Sequence, residues 1–259
     1  MKLTFFRFFT ELTSSRFISS ITGTFAKSKI SKFMIPTFAN IYNIKIEEAE
    51  MDLDQYPTLN SFFTRRLKPG TRVIDRNDQS LASPVDARIT AVGEINDAKE
   101  LIVKGQRYTP LEIINDFDDL QVNNFSHFIV LYLSPTDYHR IHAPVSGTWK
   151  SHLHVPGAVY PVHDPALTHI RGVLKRNERL TTCIQSKFGE VAVCKVGAMN
   201  VSSIQYAVPI GTDLIKGGEL AYFEFGSTVV LFVSGNFNWD STLVEGGRVR
   251  MGQAIGHWS

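Results

Sequence analysis

The chain of 259 residues is long enough to bury a core without disulfides or metal ions, and its composition, 43% hydrophobic and 20% charged, is typical of a globular protein. Its net charge of +2 is too close to neutral for a nucleic-acid binder. The two cysteines, Cys183 and Cys194, do not form a CxxC pair, which favours two reduced thiols over a disulfide.

The first 34 residues combine positive charge with many phenylalanines. They contain six lysines or arginines, Glu11 as the only acid, and seven phenylalanines. Phe5, Phe8, Phe9 and Leu12 have helical spacing and predict one apolar helix face. No apolar run reaches the roughly 18 residues that a spanning helix needs, and charges interrupt any signal-peptide core. The segment predicts a helix in the interface of an anionic membrane, or a helix packed on the domain; a mitochondrial transit peptide fits less well.

The chain changes character at about residue 80. Residues 1–65 predict several short helices, and 56–75 has the pattern of a capped helix that ends before Pro69-Gly70. Short apolar segments between turns then predict strands: ARITAVGEI, FIVLYLS, GTWKSHLHV, EVAVCKVGAMNV, STVVLFVS and RVRMGQAIG. The sequence therefore predicts an α+β fold, with a helical region over 1–65 and a mostly antiparallel β-rich core of two packed sheets over 66–259.

Asp86 is the first candidate functional residue. In LASPVDARIT it lies between a turn and an apolar strand, where a carboxylate must be paired or hydrogen-bonded. It predicts either a turn cap or the carboxylate that orients a histidine, as in a Ser-His-Asp triad.

Two histidines follow a predicted strand in LYLSPTDYHRIHAPVSG (131–147). Ser134 is a suitable N-cap and Pro135 a suitable first helical residue. His139 and His142 are three residues apart, so we expect them to share one face of a single turn. Two imidazoles on a rigid turn indicate catalysis or half of a metal site. More histidines follow, but no HExxH motif and no carboxylate at ligand spacing accompanies them, so we predict no metal site.

The segment FEFGSTVVLF places Gly226-Ser227 directly before a predicted buried strand, 229–233. Gly-Ser-Thr is ordinary turn chemistry. With a histidine and Asp86, Ser227 could also complete a hydrolase triad, but the G-x-S-x-G elbow is missing. A third interpretation is that the Ser227 hydroxyl attacks the Gly226 carbonyl, which no side chain shields.

Six motifs together resemble the phosphatidylserine decarboxylase family, in that family's order and over nearly the whole chain. They are LNSFFTRRLKPGTRVID, SPVDARI, PTDYHRIHAPVSG, RNERL, VGAMNVSSI and KGGELAYFEFGSTVVLF. Members of the family are pyruvoyl enzymes that make phosphatidylethanolamine. Phe225 fits the family's cleavage motif, in which leucine or phenylalanine precedes Gly-Ser-Thr.

The resemblance implies a self-processing proenzyme. The chain would cleave itself between Gly226 and Ser227 into a β chain, 1–226, and an α chain, 227–259, which sheet pairing would hold together. His142, oriented by Asp86, would be the general base on Ser227.

The resemblance also implies the cofactor, the substrate and the location. Ser227 would become a covalent pyruvoyl group that forms a Schiff base with the amine of phosphatidylserine, and His139 would assist decarboxylation or reprotonation. The protein would lie peripherally on the cytoplasmic face of a bacterial cell membrane, with 1–65 as its membrane-associating region, and would bind no nucleic acid; whether it forms a homo-oligomer stays open. The alternatives are a soluble pyruvoyl-dependent amino-acid decarboxylase and an uncleaved, inactive membrane-associated β protein.

Overall fold

The computed structural model describes residues 23–115, 122–198, 204–224 and 227–259. The helix expected around Phe5 to Leu12 therefore lies outside the described residues. The α-helices with defined caps are α1 (Ile35–Ile41), α2 (Leu59–Phe63), α3 (Pro110–Ile114), α4 (Asp164–His169) and α5 (Val173–Arg176). Short 3-10 helices are formed by Lys29–Met34, Ile46–Glu48, Leu53–Gln55 and Val122–Asn124.

Strands dominate the rest of the described chain. They are β1 (Ser80–Ala82), β2 (Ala87–Glu94), β3 (Leu101–Val103), β4 (Gln106–Tyr108), β5 (Phe125–Leu133), β6 (Arg140–His142), β7 (Thr148–Val155), β8 (Arg179–Gln185), β9 (Glu190–Gly197), β10 (Ile204–Tyr206), β11 (Glu219–Phe223), β12 (Ser227–Ser234), β13 (Phe237–Trp239), β14 (Arg248–Val249) and β15 (Ala254–Trp258).

All pairings between these strands are antiparallel. The largest sheet has seven strands in the order β14-β2-β5-β12-β9-β8-β7, and three smaller sheets have the orders β1-β15-β13, β10-β11-β6 and β3-β4. The prediction of an α+β fold with short helices followed by mostly antiparallel strands is confirmed. The prediction of two packed sheets is too simple. One face of the large sheet is covered by helices and the β3–β4 pair, and the other face is covered by two smaller sheets.

The two faces of the seven-stranded sheet bury separate cores. One, the helix-side core, packs against β3, β4 and helices α3 to α5. The other, the sheet-side core, packs against the two three-stranded sheets. β12 lies between β5 and β9 in the middle of the large sheet, and all eight of its residues are buried. Its alternation sends Val229 and Leu231 into the sheet-side core and Val230 and Phe232 into the helix-side core.

The helix predicted within 56–75 is much shorter than expected. Thr58 caps α2 by accepting a hydrogen bond from Ser61 N at 3.0 Å, and the helix ends at Phe63. The chain then becomes extended, because residues 66–68 pair with residues 48–50: Glu50 N donates to Arg66 O and Lys68 N to Glu48 O, each at 2.9 Å. A long-range pairing thus ends a helix that the local pattern would continue.

Candidate active site

Three segments converge where β12 begins. Ser227 is paired with Leu133 of β5 and with Gly197 of β9. The chain after β5 leads to His139, whose carbonyl accepts a hydrogen bond from Phe223 N at 3.1 Å. These contacts bring the serine, the histidine segment and the end of β11 to one edge of the sheet-side core.

The segment of Asp86 is joined to the same region through the backbone. His142 N donates to Pro84 O at 2.9 Å, and Ala143 N donates to Gly218 O at 2.8 Å. The structure therefore brings together the chain segments of Asp86, His139, His142 and Ser227. Their side-chain contacts differ from the predicted ones.

The turn after β5 forms where the sequence predicted it, but it is shorter. Asp137 N donates to Ser134 O at 2.9 Å, and the Asp137 carboxylate accepts from Ser134 N at 2.8 Å. His142 then belongs to β6, which pairs with β11. The prediction that His139 and His142 share one face of a single turn is therefore wrong, because sheet pairing extends the chain before His142.

Ser227 is a buried hydroxyl without a hydrogen bond to any described residue. Its side chain is fully buried, and Oγ has no partner within the described part of the chain. A buried hydroxyl left unpaired costs about 1–3 kcal/mol, so such a group in a native protein calls for an explanation. Gly226, the other half of the predicted cleavage site, lies outside the described residues.

His139 is held in one tautomer with its second nitrogen unbonded. Its Nδ1 lies 2.9 Å from Asp137 O; because a carbonyl only accepts, Nδ1 carries the proton. Nε2 is buried without a partner among the described residues, and the ring packs on Phe63 at 4.0 Å between centroids. Burial, helped by the positive charge of Arg65, lowers the pKa of His139 to about 3. His139 is therefore neutral, with a free lone pair.

His142 has partners on both ring nitrogens. Nδ1 donates to Gly217 O at 2.8 Å, so Nε2, 3.1 Å from the hydroxyl of Tyr138, accepts from it. Burial lowers the pKa of His142, and the hydrogen bond to Gly217 O opposes that effect, together with the negative charges of Glu219 and Asp86. His142 is thus a neutral imidazole whose basic nitrogen is covered by one tyrosine hydroxyl.

Asp86 is bound by an arginine, which the sequence did not predict. Arg72 Nε lies 2.9 Å from Oδ1 and 3.1 Å from Oδ2, and Met251 N donates to Oδ1 at 2.8 Å. Arg72 Nη2 also binds Glu48 at 2.8 Å. The expected direct orientation of His142 by Asp86 is not formed in this structure. Asp86 acts on His142 through its charge instead.

Replacing Arg72 by methionine should strongly destabilise the protein. The Arg72–Asp86 pair is about nine-tenths buried on both sides, with side-chain exposures of 9% and 10%, so the variant leaves a buried carboxylate without its cation. We expect the free energy of unfolding to fall by about 3–5 kcal/mol in urea denaturation. Arg107→Met, at an exposed pair with Glu100, is the matched control and should cost at most about 1 kcal/mol. Equal effects of the two variants would contradict the proposed role of the pair.

Glu219 and Tyr138 are further residues of the site that sequence reasoning missed. Glu219 is paired with His142 in the β6–β11 register and binds Arg66 at 3.0 Å and Arg140 at 2.9 Å. Burial opposes the ionisation of Glu219, but these two guanidinium groups hold its pKa below the ordinary value. No local pattern relates Glu219 to His142; only the strand pairing does. Tyr138 lies within the histidine motif, so its position in that motif is the feature of the sequence from which its role could have been predicted.

A polar cavity opens beside this region. It has a volume of about 480 Å³, large enough for a phospholipid head group. Its wall carries more cations than anions, which suits an anionic ligand. The lining residues are Lys27, Thr58, Asn60, Ser61, Thr64, Arg66, Arg140, Tyr206, Ala207, Tyr222 and Glu224.

The remaining histidines are not gathered into a metal-binding cluster within the described ranges, where no group of three or more potential ligands occurs. His152 and His154 both lie exposed on one face of β7, as their spacing suggests, and His154 pairs with Glu178 at 2.8 Å.

Comparison with known proteins supports the resemblance seen in the motifs. The family model described as "Phosphatidylserine decarboxylase" matches residues 59–257. The "Phosphatidylserine decarboxylase proenzyme" of Geobacillus kaustophilus is 40% identical over 261 residues, which cover 100% of this chain and 98% of that protein. The proenzyme of the same description from Halalkalibacterium halodurans is 38% identical, with 100% and 99% covered. That from Geobacillus sp. strain WCH70 is 39% identical, with 97% of each covered.

Proposed function

Because the chain belongs to the phosphatidylserine decarboxylase family, we propose that it converts phosphatidylserine to phosphatidylethanolamine after cleaving itself between Gly226 and Ser227. The single observation that carries this proposal is the buried, unpartnered hydroxyl of Ser227 at the first position of β12. A serine that serves only as a turn residue has no reason to leave its hydroxyl unbonded in a core.

Self-cleavage uses this hydroxyl as the nucleophile. Ser227 Oγ attacks the Gly226 carbonyl carbon, and the peptide bond is exchanged for an ester as the amide nitrogen takes up a proton. Removal of the Ser227 Cα proton then breaks its Cβ–Oγ bond and frees the Gly226 carboxylate. Hydrolysis of the remaining end releases ammonia and leaves a pyruvoyl group at residue 227.

The surroundings of Ser227 fit a pyruvoyl group. β12 is hydrogen-bonded on both sides, which would hold the new chain end in place after cleavage. Two further unpartnered polar atoms of this region, Thr228 Oγ1 and His139 Nε2, are available for new hydrogen bonds. When present, the group supplies a carbonyl that draws electrons away from the carboxylate that the substrate loses.

The two histidines are suited to different steps. A general base must hold the proton that it takes, and the pKa of about 3 makes His139 a poor base while it is sealed in the core. We assign His142, whose lowered pKa is partly restored by the hydrogen bond to Gly217 and by Glu219, as the base of self-cleavage. Cleavage beside the cavity would admit water and substrate, and His139 could then carry a proton for decarboxylation or reprotonation.

An apolar surface near the N-terminus supports membrane association. Ile30, Phe33 and Ile41 are exposed by 70%, 71% and 69%, far more than large apolar side chains in a core. Four exposed lysines, Lys27, Lys29, Lys32 and Lys45, lie in the same stretch of the chain. Within the described ranges no helix is long and apolar enough to span a bilayer. We assign this surface to the interface of an anionic bilayer, where apolar insertion and lysine attraction act together.

Replacing Ile30, Phe33 and Ile41 together by aspartate should reduce vesicle binding by about tenfold or more, because each buried apolar side chain contributes about 1.5–3 kcal/mol. The measurement is sedimentation with vesicles that contain phosphatidylserine. The matched control changes Val73, Ile215 and Val244, exposed apolar residues elsewhere, to aspartate. Equal losses for both triple variants would contradict a specific membrane surface.

Release of carbon dioxide from phosphatidylserine in mixed micelles tests the activity itself. We expect turnover of the phospholipid and little or none of free amino acids. Preferential turnover of free amino acids would instead favour a soluble pyruvoyl-dependent decarboxylase.

A further inference from the structure

Lys195 is a fully buried lysine that no step above uses. It lies on β9, where Val191 and Val193 at alternate positions face the sheet-side core, so Lys195 faces that core too. Its Nζ donates to Thr182 Oγ1 at 2.6 Å and lies 5.1 Å from the ring centroid of Tyr206. It forms no ion pair with a carboxylate of the described residues, an unusual situation for a buried cation.

Lys195 and Ser227 lie on the same face of neighbouring strands. Ser227 has the same alternation as Val229, which belongs to the sheet-side core, and Val229 is the residue paired with Lys195. Lys195 therefore occupies the diagonal position next to Ser227, whose direct partner is Gly197. Gly197 has no side chain to separate the two.

The amine of Lys195 points away from β12. Its partner Thr182 is on β8, the next strand beyond β9, and strands in a sheet are about 4.8 Å apart. Tyr206, whose hydroxyl is 3.0 Å from Thr182 Oγ1, also lines the polar cavity. Lys195 thus lies directly behind Tyr206, which forms part of the cavity wall. Its amine is several ångströms from residue 227, on the side away from β12.

A phosphatidylserine whose amine reaches residue 227 brings two anionic groups. Its carboxylate carbon is two bonds from the amine nitrogen, and its phosphorus is four bonds away. Because the amine of Lys195 lies several ångströms from residue 227, it is better placed to reach the phosphate than the carboxylate. An ammonium group bound to the carboxylate would moreover stabilise the ground state of the substrate, because the carboxylate charge disappears when carbon dioxide leaves.

On the basis of the proposed function, we propose that Lys195 is a specificity-determining residue that binds the phosphodiester of the phosphatidylserine head group. Thr182 and Tyr206 position its amine, and the substrate supplies the anion that the free protein lacks.

The ionisation of Lys195 supports this role. Burial lowers the pKa of Lys195 to about 7, and the neighbouring thiols Cys194, on the same strand, and Cys183, on β8, oppose that effect. Tyr206 is the titratable group that faces it from β10. A bound phosphodiester favours the ammonium form and raises this pKa. Above pH 7, binding should therefore take up a proton, and affinity should fall as the pH rises.

Calorimetry with glycerophosphoglycerol tests the proposal without any turnover, because this phosphodiester has neither amine nor carboxylate. The processed wild-type protein should bind it about 10- to 100-fold more tightly than Lys195→Met. At pH 8, titrations in two buffers of different ionisation enthalpy should show uptake of nearly one proton by the wild type and none by the variant. Lys150→Met, an exposed lysine of β7 in the same sheet, is the control and should behave as wild type. Equal binding by wild type and Lys195→Met would overturn the proposal.

Substrate preference separates this role from a purely structural one. Lys195→Met should lose about 10- to 100-fold in kcat/KM for phosphatidylserine and little for an O-alkyl serine ether, which lacks the phosphodiester. A structural defect would lower both alike, and that result would refute the inference.

If Lys195→Met does not cleave itself, the proposal is tested on the wild-type protein by the pH dependence of its substrate preference. Its ratio of kcat/KM for the two substrates should fall above pH 7, and a flat ratio would refute the role. Failure of the proposed function looks different, because an uncleaved chain would turn over neither substrate.

Discussion

Ser227→Ala is expected to leave a single full-length chain of 259 residues without decarboxylase activity, whereas the wild type gives chains of 226 and 33 residues. The reason is that Ser227 is both the nucleophile and the precursor of the electron-withdrawing group, and no positioning effect replaces either one. A denaturing gel and carbon dioxide release from phosphatidylserine measure the two consequences. The loss of activity should reach the detection limit.

Ser234→Ala is the control for this experiment. Ser234 ends the same strand, and its hydroxyl accepts a hydrogen bond from Glu190 N at 2.8 Å, away from the site. This variant should cleave itself and remain active, with a modest loss of stability of about 1 kcal/mol. A Ser227→Ala chain that still separates into two fragments would show that cleavage does not start at this hydroxyl.

His142→Ala should slow self-cleavage by about 10²- to 10⁴-fold, the usual contribution of general base catalysis. His139→Ala should cleave nearly normally and then lose turnover by a similar factor. Cleavage is followed on gels during refolding or cell-free synthesis, and turnover is measured on the cleaved fraction only. His152→Ala, at an exposed position of β7, is the control for both.

The pH dependence of cleavage gives an independent check on His142. The base must be neutral, and burial lowers its pKa below the ordinary 6.5. Cleavage should therefore be independent of pH around 7 to 8 and slow only at pH values below 6.5. If His139→Ala also blocks cleavage, the division of roles between the two histidines is wrong.

Local patterns predicted the class of the fold and the central strand. The continuous apolar run after Gly-Ser-Thr is β12, which the structure buries along its whole length. The run RVRMGQAIG was predicted as one strand, but a turn divides it into β14 and β15 in different sheets. Strand order and sheet layers arise from long-range pairing and therefore could not be predicted from local patterns.

The sequence predicted which residues belong to the site better than it predicted the contacts between them. The capped turn at Ser134 to Asp137 follows from local hydrogen bonding, and it forms. β6 exists only because β11 pairs with it, so neither the strand conformation of His142 nor the proximity of Glu219 could be read locally. The partner of Asp86 is Arg72, and no spacing rule connects those two positions. Sequence reasoning correctly required a partner for the buried carboxylate but chose the histidine.

Lys195 shows a different limit. In the sequence it stands within a β-rich segment as one charged residue among apolar ones, and nothing local distinguishes it from an edge lysine. Only the central position of β9 and its register with β12 reveal that the amine is enclosed beside Ser227.

The most direct test of self-cleavage at Ser227 is the intact mass of the short chain in protein purified without prior treatment. We expect a 33-residue chain, 227–259, that is lighter by one ammonia than the same peptide with an N-terminal serine, together with resistance to stepwise N-terminal degradation. Only full-length chain, or a short chain that begins with an ordinary serine, would contradict it.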